Sequence, residues 1–375
     1  MNEPKLRFKE FSGEWDLVEL NTLTTEIKAG RSKITEGEKS YPILGSTGII
    51  GYTNTYDYEG DFILVARVGA NAGKITSFEG KCKITDNTIF FESIHAEKIF
   101  IQELLIKNNL SKKSFGSGQP LIKGSDLKKL KVYIPSLSEQ LKLKLFLKNI
   151  NKKIQLEQQK INLLQEQKKG YMQKIFKQGI RFKGFNEEWK QWKLGELAEV
   201  RTGKAFSSAD FNDNGEYLVI TNKNIQDEAN GITSVGDRID IHDDTILNNY
   251  LLSGDNILVT MDGVNIGKTG KYSNEKAVLA QRVGRLNSEQ IDFVYQITSS
   301  NKFVSEMNKL SVGNAIKHIS LKHISDYSFS APTSKREQEK IGSFFKKIDR
   351  KIQLLQQKID LLHEQKKGFM QQMFV

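Results

Sequence analysis

Two stretches of the chain, 138–178 and 334–375, repeat apolar residues at alternating steps of three and four. This spacing is a heptad pattern, in which one narrow apolar seam faces a partner helix. We therefore predict two long helices that bury their seams against each other within the chain. About 40 residues at 1.5 Å per residue would make each helix roughly 60 Å long. The predicted packing residues are Ile150, Ile154, Ile161 and Leu164 in the first helix and Ile348, Ile352, Leu355, Ile359 and Leu362 in the second.

Polar residues interrupt this seam. Glu157 and Lys168 occupy seam positions of the first helix, and Lys366 matches Lys168 in the second. The lysines could contact a DNA phosphate. A polar residue that fixes the register while its stem reaches toward solvent is the more common role, and we favour it.

The two helical stretches are near copies of each other. Residues 153–176 and 351–374 are identical at 18 of 24 positions. A second repeat, Arg-Phe-Lys-x-Phe-x-x-x-Trp, begins at Arg7 and again at Arg181. Its aromatic residues favour an anchor between neighbouring domains over a platform on which bases stack. The chain therefore consists of two halves with matching frames and different inserts.

The inserts are rich in predicted β-strands. Residues 41–92 and 216–286 contain short apolar runs separated by glycine and asparagine turns. Both contain Gly-Asp, then Ile-Leu-Val, then a Gly-x-Asn-x-Gly-Lys turn, which predicts a shared fold with different surfaces. Each insert continues into a predicted helix, at 97–109 and 290–309, and then into a glycine-bearing loop.

These elements predict an α+β fold with two similar mixed α/β domains separated by two long helices. Pro135 and Pro332 end the segments before the helices, which places both helix starts. The predicted parts are 1–136 for the first domain, 137–178 for the first helix, 179–333 for the second domain and 334–375 for the second helix.

The net charge of +11 is concentrated in the helices. Residues 139–177 and 334–375 carry +7 and +5, so the inserts together are close to neutral. Contact between the inserts and a polyanion must therefore rest on local groups of lysines. The N-terminus shows no signal peptide and no apolar run approaches transmembrane length, so we expect a cytoplasmic protein with no membrane partner.

The sequence contains no recognisable catalytic constellation. The single cysteine, Cys82, excludes a disulfide framework, and the five histidines lack ligand spacing. The run GVNIGKT at 263–269 has three residues between its glycines, where a phosphate loop needs four. Asp61, with Glu79-Gly80-Lys81 downstream, faintly resembles a metal nuclease. We interpret Asp61 as structural because no second acidic group obviously converges on it. We expect no catalytic residue, metal or cofactor on this chain.

In combination, these features resemble the DNA-specificity subunit of a type I restriction-modification system. The resemblance spans essentially the whole chain. It is carried by the Gly-x-Gly-Gln-Pro loop at 116–120, the Ile-Pro…Glu-Gln junction at 134–140 and the Gln-Lys-Lys-Gly end of both helices. The second insert departs from the pattern, with Gly313-Asn314-Ala315 where that loop would stand.

The resemblance implies two target-recognition domains, each reading one half of a split site in double-stranded DNA. It also implies that the two helices pack antiparallel, as a spacer and as the dock for two methyltransferase subunits, and that restriction subunits join the complex. This chain would then be non-catalytic, and S-adenosylmethionine would bind to the partner methyltransferase.

We predict that polar side chains on glycine- and asparagine-rich tips contact the DNA. Asn and Gln can pair with adenine through two hydrogen bonds, and Lys can reach guanine or phosphate. The alternative is that the glycines only close turns and the asparagines cap them. The predicted contacts are Asn71, Lys74, Gln119 and Lys123 in the first insert and Asn265, Lys268, Asn314 and Lys317 in the second.

Two other functions fit parts of the pattern. A coiled-coil scaffold could present the inserts to two protein partners instead of DNA, and loss of specific DNA affinity with intact folding would favour it. A standalone DNA-modifying enzyme is disfavoured. The chain lacks the Asn- or Asp-Pro-Pro-aromatic tetrapeptide and the glycine-rich cofactor loop that a methyltransferase of this kind needs.

Overall fold

The protein forms two compact units whose boundaries lie inside the two long helices. Its structure is a computed structural model that describes residues 2–34, 40–113, 120–225, 235–313 and 317–375. Unit 1 comprises Met1–Leu156 with Ile359–Val375, and unit 2 comprises Glu157–Lys358. Each unit therefore contains one insert, the start of the helix that follows it and the end of the other helix.

Unit 1 is built on one large sheet. Its strands are β1 (Asp16–Glu19), β2 (Lys28–Ala29), β3 (Tyr41–Gly45), β4 (Gly48–Thr53), β5 (Tyr58–Ala66), β6 (Ile75–Ile84), β7 (Thr88–Glu92) and β8 (Lys131–Ile134). Its helices are α1 (Lys98–Lys107), α2 (Gly124–Lys128) and the first part of α3 (Leu137–Phe176), with 3-10 turns at Leu20–Thr22 and Leu110–Lys113. Among the described residues the sheet order is β2-β7-β5-β6-β3-β4, while β1 pairs antiparallel with β8. The apolar run 62–66 of β5 is buried on both faces, as expected of a central strand.

Unit 2 contains the corresponding elements in two smaller sheets. Its strands are β9 (Trp189–Lys193), β10 (Glu199–Thr202), β11 (Tyr217–Ile220), β12 (Arg238–Ile239), β13 (Asn256–Thr260), β14 (Thr269–Tyr272), β15 (Ala277–Leu279), β16 (Val283–Asn287) and β17 (Ser328–Pro332). Its helices are α4 (Leu194–Leu197), α5 (Asp244–Tyr250), α6 (Ile291–Thr298), α7 (Asn301–Leu310), α8 (Leu321–Ser325) and the first part of α9 (Lys335–Met373). Three 3-10 turns lie at Ser208–Asp210, Asn222–Asn224 and Gly263–Asn265. The described sheets have the orders β10-β16-β13-β14 and β12-β11-β15, and β9 pairs with β17.

The two units share strand pairings, in agreement with the shared fold predicted for the inserts, but they differ in how the sheet is divided. In unit 1, β6 continues for ten residues and joins β5 to β3. In unit 2 the same path is broken between Tyr272 and Ala277, so β14 and β15 belong to separate sheets. The helix predicted at 290–309 is also interrupted. The Ser300 hydroxyl accepts a hydrogen bond from Phe303 N–H, which starts α7 as a new helix.

The predicted seam residues lie on the packed faces of α3 and α9. Ile161 and Ile359 are buried, and the other seven are half-buried. In unit 1 the ring of Phe146 lies 5.0 Å from that of Phe369. In unit 2 the ring of Tyr171 lies 5.3 Å from that of Phe344. In each unit the start of one helix thus packs against the end of the other, which makes the pairing antiparallel.

The last turn of each long helix completes the core of a unit. Phe374, the residue directly after α9, stacks on Phe100 of α1 with ring centroids 5.2 Å apart. In unit 2, Phe176 of α3 stacks on Phe293 of α6 at 6.1 Å. Both of these inner partners are fully buried. Each insert therefore needs the end of a long helix to complete its core. Unit 1 takes it from the end of the chain, and unit 2 takes it from the helix that directly precedes the insert.

The Arg-Phe-Lys-x-Phe repeat anchors each entry segment on the start of the helix that follows the insert. Arg7 donates from Nε and Nη2 to the two carboxylate oxygens of Glu139 at 2.9 and 2.8 Å. Arg181 makes the same pair of bonds to Glu337, both at 2.7 Å. These bonds raise the pKa of both arginines, and both carboxylates are buried. The geometry matches the anchoring interpretation of the repeat, because each arginine is committed to a carboxylate within its own unit.

Lys366 and Lys168, near the helix ends, each form an ion pair with a carboxylate, but the carboxylate comes from a different element in each unit. In unit 1, Lys366 Nζ lies 2.7 Å from the carboxylate of Glu103 on α1. In unit 2, Lys168 Nζ lies 2.8 Å from the carboxylate of Asp349 on α9, which also accepts from Gln296 Nε2 at 3.0 Å. Gln296 occupies the place of Glu103, since both lie three residues after the stacked phenylalanine.

Asn151 of α3 is the counterpart of Asp349 at the offset of 198. The carboxylate and the amide have therefore exchanged positions between the units. This placement supports a structural role for both lysines and does not favour a contact with phosphate.

Moving the carboxylate in unit 1 tests this exchange. We expect Glu103→Gln to lower the free energy of unfolding by about 1–3 kcal/mol, because the largely buried Lys366 loses its charged partner. Adding Asn151→Asp should restore part of that loss by creating the arrangement of unit 2. Denaturant titrations of the full chain would measure both changes. The exposed Glu364→Gln is the control, and equal midpoints for the single and double variants would contradict the exchange.

Candidate functional site

Two loops lie side by side at one end of the sheet in unit 1. The first is 67–74, and the described part of the second is 120–123. Gly69 N–H donates to Pro120 O at 3.2 Å, and Ile122 N–H donates to Arg67 O at 2.8 Å. A bridge between Val68 and Leu121 completes the contact. We call this pair of segments the paired loops of unit 1.

Unit 2 repeats this contact bond for bond. Gly263 N–H donates to Lys317 O at 3.0 Å, and Ile319 N–H donates to Met261 O at 2.8 Å. Asp262 bridges to His318 as Val68 does to Leu121. The paired loops of unit 2 are 261–268 and 317–320. The shared backbone frame therefore presents two different sets of side chains.

Glycines close the first loop in both units. Gly69 and Gly73 have φ of 79° and 85°, and Gly263 and Gly267 have 78° and 80°. A Cβ on Gly73 would lie 2.4 Å from the backbone nitrogen of Ser111, so a larger residue would collide with the neighbouring turn. The run is a β-turn with too few residues to wrap a phosphate, in keeping with the spacing argument from the sequence.

The structure places six of the eight predicted contacts on the paired loops. Lys74, Lys123 and Lys317 are exposed. Asn71, Asn265 and Lys268 are half-buried, and both asparagines accept a turn-closing bond through the backbone carbonyl, from Lys74 N–H and Lys268 N–H. The other two, Gln119 and Asn314, lie outside the described residues, as do Gly116 and Gly118. Contact between any of these residues and DNA stays a prediction.

Further segments converge on the same end of each sheet, and sequence reasoning did not select them. In unit 1, Ser32 N–H donates to Ile84 O at 2.9 Å and Thr85 N–H donates to Leu44 O at 3.0 Å. In unit 2, Lys204 N–H donates to Leu279 O at 3.0 Å and Ala280 N–H donates to Ile220 O at 2.9 Å. The residues that follow β2 and β3, or β10 and β11, are thereby brought beside the paired loops.

In unit 2 these segments enclose an open cleft of about 670 Å³. Its polar lining includes three cations, two carboxylates and several amides. Val264, at the tip of the first loop, is 97% exposed and lines the same cleft, so an apolar group is presented beside the polar ones. The residues that the sequence analysis missed here are Lys204, Asn222, Lys223, Gln281 and Arg282. They occupy loops between strands, where neither periodicity nor a motif singled them out.

Cys82 is not suited to nucleophilic catalysis. Burial raises the pKa of the Cys82 thiol to about 12, so the thiolate needed for nucleophilic attack is suppressed.

Asp61 lies directly opposite Glu79 on the paired strands β5 and β6. This opposition of the two residues could not be predicted, because strand register was not readable from the sequence.

The Asp61 carboxylate is nevertheless engaged by Lys98 in an ion pair. Within the described parts of the chain, no group of three His, Cys, Asp or Glu residues is placed to hold a metal ion. In those same parts, no helix is long and apolar enough to cross a membrane.

Comparisons with known proteins agree with this geometry. The family model of the type I restriction modification DNA specificity domain matches residues 13–166 and again 186–364. The chain is 26% identical over 416 residues to the type I restriction enzyme MjaVIII specificity subunit of Methanocaldococcus jannaschii, covering 97% of this chain and 94% of that protein.

Solved structures share the fold. The S subunit of a type I restriction-modification system from M. genitalium matches with a TM-score of 0.68 and 16% identity, over 100% of this chain and 99% of that one. A chain from a structure that addresses complex assembly and conformational transition of the type I R-M system matches with a TM-score of 0.51 and 15% identity, over 97% of both chains.

The exposed lysines of the paired loops provide the first test of this site. If Lys123 and Lys317 contact phosphates, Lys123→Ala and Lys317→Ala should weaken binding to all DNA sequences alike. Each should also lower the slope of log affinity against log salt by about 1. Binding isotherms of the full chain at several salt concentrations measure both effects. Lys309→Ala, on the exposed face of α7, is the matched control, and unchanged slopes in both variants would remove these loops from the DNA contact.

Proposed function

Because the chain belongs to the type I restriction modification DNA specificity family, we propose that it reads a two-part site in double-stranded DNA, with one unit for each half. One observation carries the proposal: both units build the same paired loops by the same backbone bonds, yet they differ in the side chains displayed. A shared frame supports one docking mode, and different side chains support two different half-sites. The family is one of DNA specificity components, and the curated relative is a specificity subunit, so this chain is a recognition component and not an enzyme.

The chemistry of the paired loops suits a DNA groove. Exposed lysines would bind the phosphates on either side, while asparagine and glutamine can reach base edges. Val264 and its counterpart Ala70, which is also exposed, stand at the loop tips, where an apolar side chain can contact the methyl group of thymine. The near-neutral charge of the inserts supports base reading by local groups in place of a broad electrostatic surface.

The long helices supply a surface for partner subunits. Each unit exposes a pair of leucines beside the seam, one from each helix, and all four are about half exposed. Each precedes a seam position by one residue, so the two of a pair lie on the same side of an antiparallel seam. The pairs are Leu156 with Leu361 in unit 1 and Leu163 with Leu354 in unit 2.

Two equivalent apolar pairs, surrounded by lysines, support docking of two methyltransferase subunits through apolar segments with acidic flanks. These subunits would carry S-adenosylmethionine, and the restriction subunits would bind to the same cytoplasmic complex. In the described parts of the loops, no feature specifically supports the rival function, a scaffold that presents the inserts to proteins. A chain that folds normally but shows no sequence preference in DNA binding would favour the scaffold.

An exchange of inserts tests the assignment of one unit to each half-site. Replacing residues 15–135 with the first insert of another family member should change one half of the recognised sequence only, because β1 and β8 form the neck through which the insert joins the frame. Long-read methylome sequencing of cells that express the complete system reads both halves at once. A change in both halves would contradict the two-reader model.

Helix length is expected to set the gap between the half-sites. Adding one heptad to both α3 and α9 preserves the facing seam residues and lengthens each helix by roughly 10 Å. The methylome should then show unchanged bases with a longer gap. The control adds the heptad to α3 alone, which shifts every seam contact beyond the insertion and should impair folding. An unchanged gap in the double insertion would rule out the helices as the spacer.

A further inference from the structure

One position at the tip of each sheet accepts the same backbone hydrogen bond in both units but has a different side chain, and only in unit 2 is its φ positive. In unit 1, Arg67 N–H donates to Asn87 O at 2.9 Å, just before β7 begins. In unit 2, Met261 N–H donates to Arg282 O at 3.1 Å, just before β16 begins. Both Asn87 and Arg282 are exposed, and both lie beside the paired loops of their unit.

The backbone of Arg282 adopts an uncommon conformation. Its φ is 65°, in the left-handed region that residues with a long side chain rarely occupy. The surrounding structure must hold such a strained residue in place, and residues of this kind are concentrated at functional sites. Here the turn directs a guanidinium into the wall of the open cleft, where the Arg282 side chain remains 63% exposed.

A carboxylate holds the Arg282 side chain. Arg282 Nη1 donates to Asp262 Oδ2 at 3.2 Å, and Asp262 is itself only 18% exposed. Asn222 Nδ2 donates to the other oxygen of Asp262, and Asn222 Oδ1 accepts from Met261 N–H at 3.4 Å. The cleft wall thus contains a chain of polar groups that holds one edge of the guanidinium through a hydrogen bond and leaves much of the side chain open to solvent.

Unit 1 has different residues at the same places. Val68 stands where unit 2 has Asp262, and Arg67 stands where unit 2 has Met261, as the matching bridges and backbone bonds show. Asn87 therefore has no carboxylate at the equivalent place, and an uncharged amide does not need one. Three side chains thus differ at places that share their backbone hydrogen bonds, which is the pattern required if the two units distinguish different bases.

We propose that position 87/282 is a specificity-determining position, at which Asn87 reads adenine in one half-site and Arg282 reads guanine in the other. The inference rests on the proposed function and names the bases that one position would select. An asparagine amide matches N6 and N7 of adenine, and a guanidinium matches O6 and N7 of guanine. Asp262 is a positioning residue, since it acts on the base through Arg282.

The carboxylate of Asp262 also distinguishes a base from a phosphate as the target of Arg282. A phosphate close to the guanidinium would bring a second anion toward Asp262, and the two like charges would repel each other. The edge of guanine offers uncharged acceptors, so it avoids that repulsion while using the same donors. Among the described residues, no carboxylate forms an ion pair with Lys204 or Lys223, the two neighbouring lysines. These lysines are therefore better suited to binding a phosphate.

Selection from a pool of randomised duplexes tests the proposal with the full chain. Arg282→Asn is the informative variant, because asparagine tolerates the left-handed backbone and is the residue that unit 1 already uses. We expect it to lose the guanine preference at one position of one half-site, with a fall of about 5- to 150-fold in affinity for the original site. Asn87→Ala should remove an adenine preference in the other half only.

Two further variants separate reading from structural roles. Asp262→Asn should reduce the guanine preference at the position read by Arg282 and leave the preferences at the other positions of the half-site unchanged. Loss of a merely structural residue would instead weaken the preference at every position of that half-site. Arg201→Ala, an exposed arginine outside the cleft lining, should leave the selected sequence unchanged.

The outcomes distinguish this inference from the proposed function. If the wild-type chain selects a two-part site and Arg282→Asn leaves that site unchanged, or weakens all sequences equally, position 282 does not read a base and only the inference fails. A wild-type site without guanine in the affected half would also overturn it. If the wild-type chain selects no sequence at all, the proposed function fails as well.

Discussion

The packing of a helix end into each unit is the contact on which the rest of the structure depends. Phe374 and Phe176 stack on buried phenylalanines of α1 and α6, and each also packs edge-on against a tryptophan of the entry segment. Burial of one such ring stabilises the fold by about 1.5–3 kcal/mol. Because the ends of α3 and α9 have near-identical sequences, they pack into equivalent apolar sites in the two units. The other surfaces of the two units differ.

The arginine–glutamate bonds at the helix starts add a second contact between each insert and the helices. Arg7 and Arg181 fix the entry segments to Glu139 and Glu337, while the necks β1–β8 and β9–β17 bring both ends of each insert to the same place. Variation in an insert is then absorbed without disturbing the frame. The division of the sheet in unit 2 illustrates this: β6 is broken into β14 and β15, yet the backbone bonds that hold the paired loops keep the same partners and lengths of 2.8–3.2 Å.

The sequence was sufficient to predict what depends on local repetition. The α+β fold, the two long helices, the similarity of the inserts and the family were all confirmed. The partners of Lys168 and Lys366 could not be predicted, because Asp349 and Glu103 are brought to them only by packing. The break at Ser300 and the opposition of Asp61 to Glu79 likewise depend on tertiary context and strand register. Of the site, the sequence located the Gly-x-Asn-x-Gly-Lys turn but not Asn87 or Arg282, since nothing in their neighbourhood repeats between the inserts.

The small sequence differences between α3 and α9 favour the pairing of α3 with α9 over the pairing of two copies of α3. In the antiparallel pair, Lys168 of α3 meets Asp349 of α9, and both are at least largely buried. If α3 paired in the same register with α3 of a second chain, Lys168 would meet Asn151 in place of Asp349, because these two residues occupy equivalent positions. A largely buried lysine without a carboxylate costs several kcal/mol, so the wrong pairing would be penalised at two symmetric places. The near-identity of the repeats thus preserves the packing of both helix ends. Just outside the repeated segment, α9 has Asp349 where α3 has Asn151, and this difference favours pairing of α3 with α9.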